Sequence, residues 1–222
     1  GNISQSSQSL QVNLDTTPPS PAFVQTVADN DVINASERTA GVWVSGTKDA
    51  DTTVTLNGHS VTADTTTWTY FLDQTTISGF GEGGEALQIV AEDLAGNRTL
   101  SSKVITVDTA APTFIDGNNV LVTNGTGSNL LTNGTTVNVY FDPLGMTDIQ
   151  SVMVDFSAYG ATQVQPAIYD AGLAKFVAQY QVKGTNLLDA SFLHPIVSVT
   201  DMAGNKSATV IGRTVSGNQL TL

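Results

Sequence analysis

The residues best suited to chemistry in this sequence are carboxylates that recur in two short motifs. Asp93 and Asp201 each open an Asp-x-Ala-Gly-Asn segment, and Asp15 and Asp108 each follow an alternating apolar stretch and precede Thr-x-x-Pro. Twenty acidic residues against eight Lys plus Arg give a formal net charge of −12 at pH 7. Calcium takes about six to eight oxygen ligands, many of them carboxylate oxygens. Where these carboxylates cluster, we therefore expect Ca²⁺ to be the natural ligand.

Other kinds of chemistry find little support in the sequence. The chain has no Cys and two His, and it contains no Gly-x-Ser-x-Gly elbow, phosphate-binding loop or paired-histidine motif. We therefore expect that it is not an enzyme. The acidic balance disfavours nucleic acid, since binding it depends on neutralising phosphates with cations. No apolar run approaches the ~18 residues of a membrane span, so we expect no membrane insertion.

Both motifs belong to an internal repeat. The stretch Ser-Leu-Gln-Val-Asn-Leu-Asp that ends at Asp15 recurs as Ser-Lys-Val-Ile-Thr-Val-Asp ending at Asp108, and the Asp-x-Ala-Gly-Asn segment lies near the end of each unit. Such self-similarity is the signature of tandem domains. It predicts a tail strand of a preceding repeat with its linker at 1–15, a first domain at 16–108, and a second, divergent domain at 109–222.

The positions of the motifs follow from an all-β fold. Alternation of apolar and polar residues, with period two, predicts about seven short strands in each unit. Seven strands in roughly 100 residues favour two tandem immunoglobulin-like β-sandwich domains, although a fibronectin type III topology fits the same pattern. The alternation also predicts that Trp43 and Trp68 point into the core. The predicted strands are Ala22–Val27, Gly41–Ser45, Thr53–Leu56, Ser60–Ala63, Trp68–Leu72, Ala86–Ala91 and Lys103–Val107, then Val120–Thr123, Thr136–Phe141, Ser151–Phe156, Gln163–Tyr169, Ala174–Val182, Ile196–Val199 and Ala208–Ile211.

Several of these segments together resemble a known family. Residues 28–37 read Ala-Asp-Asn-Asp-Val-Ile-Asn-Ala-Ser-Glu, and Gly-Val-Trp-Val-Ser-Gly-Thr follows at 41–47. With Trp68, the Glu-Asp-Leu-Ala-Gly-Asn motif and the Val-Asp-Thr-x-x-Pro linker, they resemble the bacterial Ig-like (BIg-type) repeats of large type I-secreted, RTX-type biofilm adhesins. The resemblance implies an extracellular, cell-surface spacer, stiffened by Ca²⁺ between neighbouring repeats, that projects a distal adhesive domain.

Topology gives the calcium sites a location. In a sandwich of this kind the loop between the last two strands returns to the end where the chain enters, so Asp93 should lie near Asp15, and Asp201 near Asp108. The loop from Asp29 to Glu37 lies at the opposite end of the first domain and faces the junction. The candidate metal ligands are therefore Asp15, Asp93, Asp29, Asp31, Glu37, Asp108 and Asp201. The same Asp-x-Ala-Gly-Asn segment can equally form a plain β-turn without metal.

Three functions remain open at this stage. The first is the calcium-stiffened spacer, a monomer whose partners are neighbouring repeats, with host or surface glycans or proteins bound by other domains. The second is a glycan- or protein-binding module in the second domain, where Tyr159, Tyr169 and Tyr180 are the candidate ligand-lining residues. The third is an accessory domain of a secreted enzyme.

Overall fold

The computed structural model describes residues 11–114, 119–125, 130–183, 188–189, 194–210, 214–216 and 219–221. The chain forms two compact units, one of residues 1–33 and 37–107, the other of residues 34–36 and 108–222. Among the described residues, no helix has the length and apolar character needed to cross a membrane. Most of the predicted tail strand lies outside the described residues, and its described part, 11–15, has no strand.

The first unit is built from two sheets. Strands β1 (Phe23–Val24), β3 (Val42–Thr47), β7 (Thr67–Leu72) and β6 (Thr62–Ala63) form one sheet in the order β1-β3-β7-β6. The other has the order β2-β9-β8-β4-β5 and contains β2 (Val32–Ile33), β9 (Arg98–Val107), β8 (Gly83–Glu92), β4 (Thr53–Leu56) and β5 (His59–Ser60). Helices α1 (Ala35–Ala40) and α2 (Gln74–Phe80) are short, and the first two residues of α1 cluster with the second unit.

One hydrophobic core lies between these two sheets. Alternate residues of each strand face it, so that Val44 and Trp68 from one sheet pack in the same cluster as Leu87 and Ile105 from the other. This is the layer arrangement of a β-sandwich, in which each sheet buries one face. Trp68 is buried as predicted, and its Nε1 donates a hydrogen bond of 3.3 Å to the carbonyl oxygen of Thr47.

The prediction for Trp43 is wrong. Its side chain is 64% exposed and packs against Phe71, the residue opposite it on β7, with ring centroids 5.0 Å apart. The reason is the alternation of side chains along the strand. Val42 and Val44 on either side of Trp43 both face the core, and successive side chains of a strand point to opposite faces.

The second unit contains one long, folded sheet. Its order is β18-β17-β13-β14-β15-β12-β10-β20-β19, and β11 pairs with β16 separately. A 3₁₀ helix spans Ser157–Tyr159. The strands are β10 (Val120–Thr123), β11 (Leu130–Leu131), β12 (Thr136–Phe141), β13 (Ile149–Asp155), β14 (Gln165–Asp170), β15 (Lys175–Gln181), β16 (Leu188–Asp189), β17 (Ile196–Asp201), β18 (Lys206–Val210), β19 (Thr214–Ser216) and β20 (Gln219–Thr221).

Strand β14 makes the turn between the two halves of this sheet. Its first half pairs with β13, for example Ala167 with Val152, and its second half pairs with β15, for example Ile168 with Val177. The halves enclose a core that includes Val139 and Phe141 on β12 and Val197 on β17. The fold is all-β, as predicted.

Most predicted strands lie within one to three residues of observed ones. Asn57-Gly58 forms the turn between β4 and β5. Both turn residues have positive φ, and β4 and β5 pair across them. Helices α1 and α2 were not predicted, because six or seven residues are too few to show helical periodicity.

Among the described glycines, Gly46 has the least room for a side chain. A Cβ at this position would lie directly against the carbonyl oxygen of Phe23 and 2.7 Å from the indole ring of Trp68. We expect Gly46→Ala to destabilise the protein by about 1–3 kcal/mol or more, because backbone and a buried ring must both shift. Gly84→Ala on β8 is the matched control, since no described heavy atom lies within 4 Å of its Cβ position. Urea unfolding compares the two, and equal losses would contradict the packing argument.

Candidate metal centre

In the second unit, the Asp-x-Ala-Gly-Asn segment forms a turn closed by reciprocal hydrogen bonds. The Asp201 N–H donates to the Asn205 carbonyl oxygen at 3.0 Å, and the Gly204 N–H donates to the Asp201 carbonyl oxygen at 3.1 Å. Gly204 has φ +93°, a conformation that glycine adopts without steric cost. The Asp201 carboxylate accepts from the Asn205 N–H at 2.8 Å and from Asn205 Nδ2 at 3.1 Å.

Asn205 also ties this turn to the linker motif. Its Nδ2 donates to the carbonyl oxygen of Asp108 at 2.9 Å. The proximity of Asp201 and Asp108 that the topology predicts is therefore present in the second unit.

The first unit repeats this arrangement. Asp93 Oδ1 accepts from the Asn97 N–H at 2.9 Å, and Oδ2 accepts from Asn97 Nδ2 at 2.9 Å. The same Nδ2 lies 3.3 Å from the carbonyl oxygen of Asp15 and 3.4 Å from that of Thr17. Asp93 therefore lies near Asp15, as predicted. In both units the Asn of the motif holds the linker against the turn.

Three carboxylates of the second unit converge at this turn. One oxygen from each of Asp108, Asp148 and Asp201 lies within 4.8 Å of the other two. Asp148 directly precedes β13, and its carbonyl oxygen accepts from the Met202 N–H at 2.7 Å, which places it beside the turn. Asp201 is fully buried at 0% exposure, Asp108 is half-buried and Asp148 is exposed. Asp108 and Asp201 were predicted as ligands, and Asp148 was not.

The electrostatics of this group fit a divalent cation. Two ionised carboxylates ~4.8 Å apart repel by about 3.5 kcal/mol at an effective dielectric of 20. None of the ion pairs found among the described residues includes Asp108, Asp148 or Asp201. The donor set is oxygen alone, which suits Ca²⁺ rather than the nitrogen and sulfur ligands that Zn²⁺ prefers. A bound cation would offset the mutual repulsion of the three carboxylates.

Residues 34–36, which belong to the second unit, cover the turn. The Ala35 N–H donates to Asn205 Oδ1 at 2.9 Å, and Asn34 Nδ2 donates to the carbonyl oxygen of Ala203 at 3.1 Å. Every hydrogen-bonding atom of the Asn205 side chain is therefore engaged, and the residue is 5% exposed. In the first unit the corresponding Asn97 is partly exposed and Ala95 is exposed.

Three other predicted ligands lie in one loop and the helix that follows it: Asp29, Asp31 and Glu37. The group of Asp108, Asp148 and Asp201 does not include them. Asp31 closes a turn by accepting from the Val27 N–H at 2.9 Å, and its other oxygen forms an ion pair with Lys103 Nζ at 2.6 Å. Asp29 is exposed, with φ +62° in the same turn. Glu37 lies in the first turn of α1.

Hydrogen bonds lower the pKa of two of the predicted ligands, Asp31 and Asp93. Burial raises the pKa of Asp31, but the Lys103 ammonium and the Val27 N–H outweigh it and hold the pKa below its ordinary value. The Asn97 carboxamide, helped by backbone N–H groups of the turn, lowers the pKa of Asp93. Both groups are therefore held as carboxylates, Asp31 by a lysine and Asp93 by the turn itself.

The tyrosines considered for a ligand surface in the second unit are mostly used in packing. Tyr159 is fully buried against Phe156, with ring centroids 6.2 Å apart, and Tyr180 stacks on the same Phe156 at 5.6 Å. Tyr169 is half-exposed and packs edge-on against Phe176. The three do not form a continuous exposed aromatic surface.

Two solved structures that this chain resembles come from bacterial adhesins. One, described as a "Ca2+-stabilized adhesin" that helps an Antarctic bacterium reach out and bind ice, matches with a TM-score of 0.51 and 23% identity, covering 93% of this chain and 49% of that one. A second, from a 1.5-MDa bacterial ice-binding adhesin, matches with a TM-score of 0.48 and 22% identity, covering 90% of this chain and 62% of its own. The chain therefore shares the all-β fold of the first of these structures. This chain spans less than two thirds of either structure.

No protein-family model and no curated protein matches the sequence. At 23% identity the structural match establishes a shared fold and nothing about ligands. The chemistry of the site therefore depends on the residues described above.

Proposed function

We propose that this chain is a pair of BIg-type repeats of a bacterial cell-surface adhesin, acting as an extracellular spacer that Ca²⁺ stiffens at its domain junctions. The observation that best supports this proposal is the group formed by Asp108, Asp148 and Asp201, in which a fully buried carboxylate has two others within 4.8 Å. Burying one charge beside two others of the same sign is costly unless a cation is bound. The related ice-binding adhesin is itself described as stabilised by Ca²⁺.

The linker position of Asp108 makes this group suitable for a junction. A metal held by Asp108 would fix the linker to the turn between β17 and β18, because Asp201 begins that turn and Asp148 directly precedes the neighbouring strand β13. Backbone carbonyls or waters would complete the coordination to the number that calcium takes. Sites in extracellular modules bind with dissociation constants of about 10⁻⁴–10⁻³ M, a range that suits a structural ion.

We expect Ca²⁺ to raise the thermal unfolding temperature, and Asp148→Asn to remove most of that gain. A ligand at ten times its dissociation constant adds about 1.4 kcal/mol, or a few degrees for a protein of this size. In EDTA the same variant should unfold at or above the wild-type temperature, because it removes one member of a repelling group. Calorimetry in EDTA and in millimolar Ca²⁺ measures both effects.

Asp64→Asn is the control for net charge, since Asp64 is an exposed carboxylate of the first unit. It should keep the full calcium response. A calcium gain that is equal in wild type and Asp148→Asn would refute the site. Small-angle scattering over the same titration tests the spacer role: calcium should narrow the distribution of end-to-end distances in wild type and leave it broad in Asp148→Asn.

A further inference from the structure

The sheet of the first unit that contains β1, β3, β7 and β6 has an outer face without charged side chains. Residues paired across an antiparallel ladder point to the same face, so the outward side chains form three rows across the strands. The rows are Trp43 and Phe71, then Gln25, Ser45, Thr69 and Thr62, then Phe23, Thr47 and Thr67. We call these nine residues the neutral face. All of them except the half-buried Ser45 are exposed.

The lack of charge defines the kind of ligand that this face suits. The outer face of the other sheet carries Glu92 and Arg98, which form an ion pair of 2.9 Å. On the neutral face a cationic ligand would find no carboxylate, and an anionic ligand would find no cation. The net charge of −12 would in addition repel an anion. The face therefore matches a ligand that is itself uncharged.

The aromatic row is an exposed apolar plate held in one orientation. Trp43 is 64% and Phe71 41% exposed, and their ring centroids lie 5.0 Å apart with 49° between the ring planes. The Phe71 ring lies against the backbone of Gly41, where a Cβ would overlap it. Glycine at position 41, with φ +77°, thus leaves room for the ring. A plate positioned in this way loses little conformational freedom when a ligand binds.

The row beside this plate supplies hydrogen-bonding groups. Ser45 follows Trp43 by two positions on β3, so the two side chains lie about 7 Å apart along the strand. Ser45 Oγ donates to Gln25 Oε1 at 3.0 Å, which holds the carboxamide over the sheet. Among the described residues, none accepts from Gln25 Nε2. Its two N–H groups, with the neighbouring hydroxyl groups, can bond hydroxyl oxygens of a ligand.

We propose that the neutral face binds an uncharged polysaccharide, with one sugar ring stacked on Trp43 and its hydroxyl groups bonded to Gln25 and Ser45. A pyranose ring has an apolar C–H face and a rim of hydroxyl groups, and it needs both kinds of partner side by side. Ligand sites combine aromatic side chains with a few placed polar groups in this way. A protein partner fits less well, because the centre of a protein interface excludes water, and here a polar row adjoins the aromatic pair.

Affinity electrophoresis tests this site on the full chain. Native gels are cast with dextran, mannan or hydroxyethylcellulose, three soluble polysaccharides without charge, and run in EDTA. At least one of them should retard the wild-type chain. Trp43→Ala should raise the apparent dissociation constant by about tenfold or more, because the stacking surface is lost. This variant keeps the net charge, so its mobility in a plain gel should equal that of the wild type.

Tryptophan emission gives a second readout. Adding the retarding polysaccharide should shift the wild-type emission to the blue as a sugar ring covers Trp43. The shift should be absent in Trp43→Ala, whose remaining Trp68 is buried. Trp43→Phe keeps an aromatic ring and should restore part of the retardation.

Leu100→Ala is the matched control, since Leu100 is 67% exposed on the outer face of the other sheet. It should be retarded like the wild type, and the anionic polysaccharide alginate should retard none of the chains. Retardation of the wild type by none of the three neutral polysaccharides would overturn the proposal, even if a protein bound the same face. Equal retardation of wild type and Trp43→Ala would also overturn it. Because the gels contain EDTA and the site uses no metal, either result leaves the calcium proposal intact.

Discussion

Replacing Trp68 with alanine should cost about 3–5 kcal/mol of stability, whereas Trp43→Ala should cost no more than about 0.5–1.5 kcal/mol. Trp68 is 1% exposed and fills the space above Gly46, between strands of the first unit. Removing it leaves a cavity beside Gly46 and removes the hydrogen bond to the Thr47 carbonyl oxygen. Trp43 loses only a cross-strand ring contact with Phe71 on a solvent-facing surface.

Each variant keeps one of the two tryptophans, which gives the experiment a second readout. The chain with Trp68 alone should emit at short wavelength when folded and shift to the red on unfolding. The chain with Trp43 alone should emit near the unfolded wavelength throughout. Urea unfolding followed by circular dichroism gives the free energies, and similar losses in both variants would show that Trp43 is a core residue after all.

The tryptophans also show what a sequence pattern can predict and what it cannot. Val42-Trp43-Val44 is apolar at three consecutive positions, so alternation alone does not decide which face points inward. The pairing with β7 decides it, because it places Trp43 opposite Phe71 on one face and Val42 opposite Leu72 on the other. Strand positions come from local signals, while the buried face comes from long-range register.

Helix α2 illustrates a local signal that was available. Asp73 caps this helix by accepting from the Thr76 N–H at 2.7 Å, and Asp is among the preferred N-cap residues. An Asp-Gln-Thr-Thr sequence therefore offered a start signal. A helix of seven residues is too short to show the helical periodicity that would support this signal.

The positions of the three carboxylates likewise depend partly on local sequence and partly on long-range strand pairing. Asp108 and Asp201 lie in repeated motifs, and the topology of a sandwich brings them together. Asp148 lies in the stretch 142–159 where the second domain departs from the first, and its place depends on the pairing of β13 with β17, where Ile149 lies opposite Asp201. Asp31 pairs with Lys103, a residue far away in sequence, which no spacing rule predicts.

Asn205→Ala should be the most damaging single change at the candidate site, at about 2–4 kcal/mol. It removes three side-chain hydrogen bonds, two donated to Asp201 and Asp108 and one accepted from Ala35. Each buried polar group left without a partner costs about 1–3 kcal/mol. The matched variant Asn97→Ala removes a similar set of bonds from a partly exposed turn, where water replaces them, so its loss should be smaller. Urea unfolding in EDTA measures the difference.

Asn205→Asp distinguishes between two interpretations of this segment, a structural turn without metal and a Ca²⁺ site. Aspartate keeps the oxygen that accepts from Ala35 but adds a fourth carboxylate beside Asp108, Asp148 and Asp201, and it loses both donated bonds. If the group binds Ca²⁺, the variant should be strongly destabilised in EDTA and partly restored by millimolar Ca²⁺, because a cation offsets the added charge. Asn97→Asp should show less of both effects. If the segment is only a turn, calcium should restore the stability of neither variant. The stability lost in each should then depend only on how deeply its asparagine is buried.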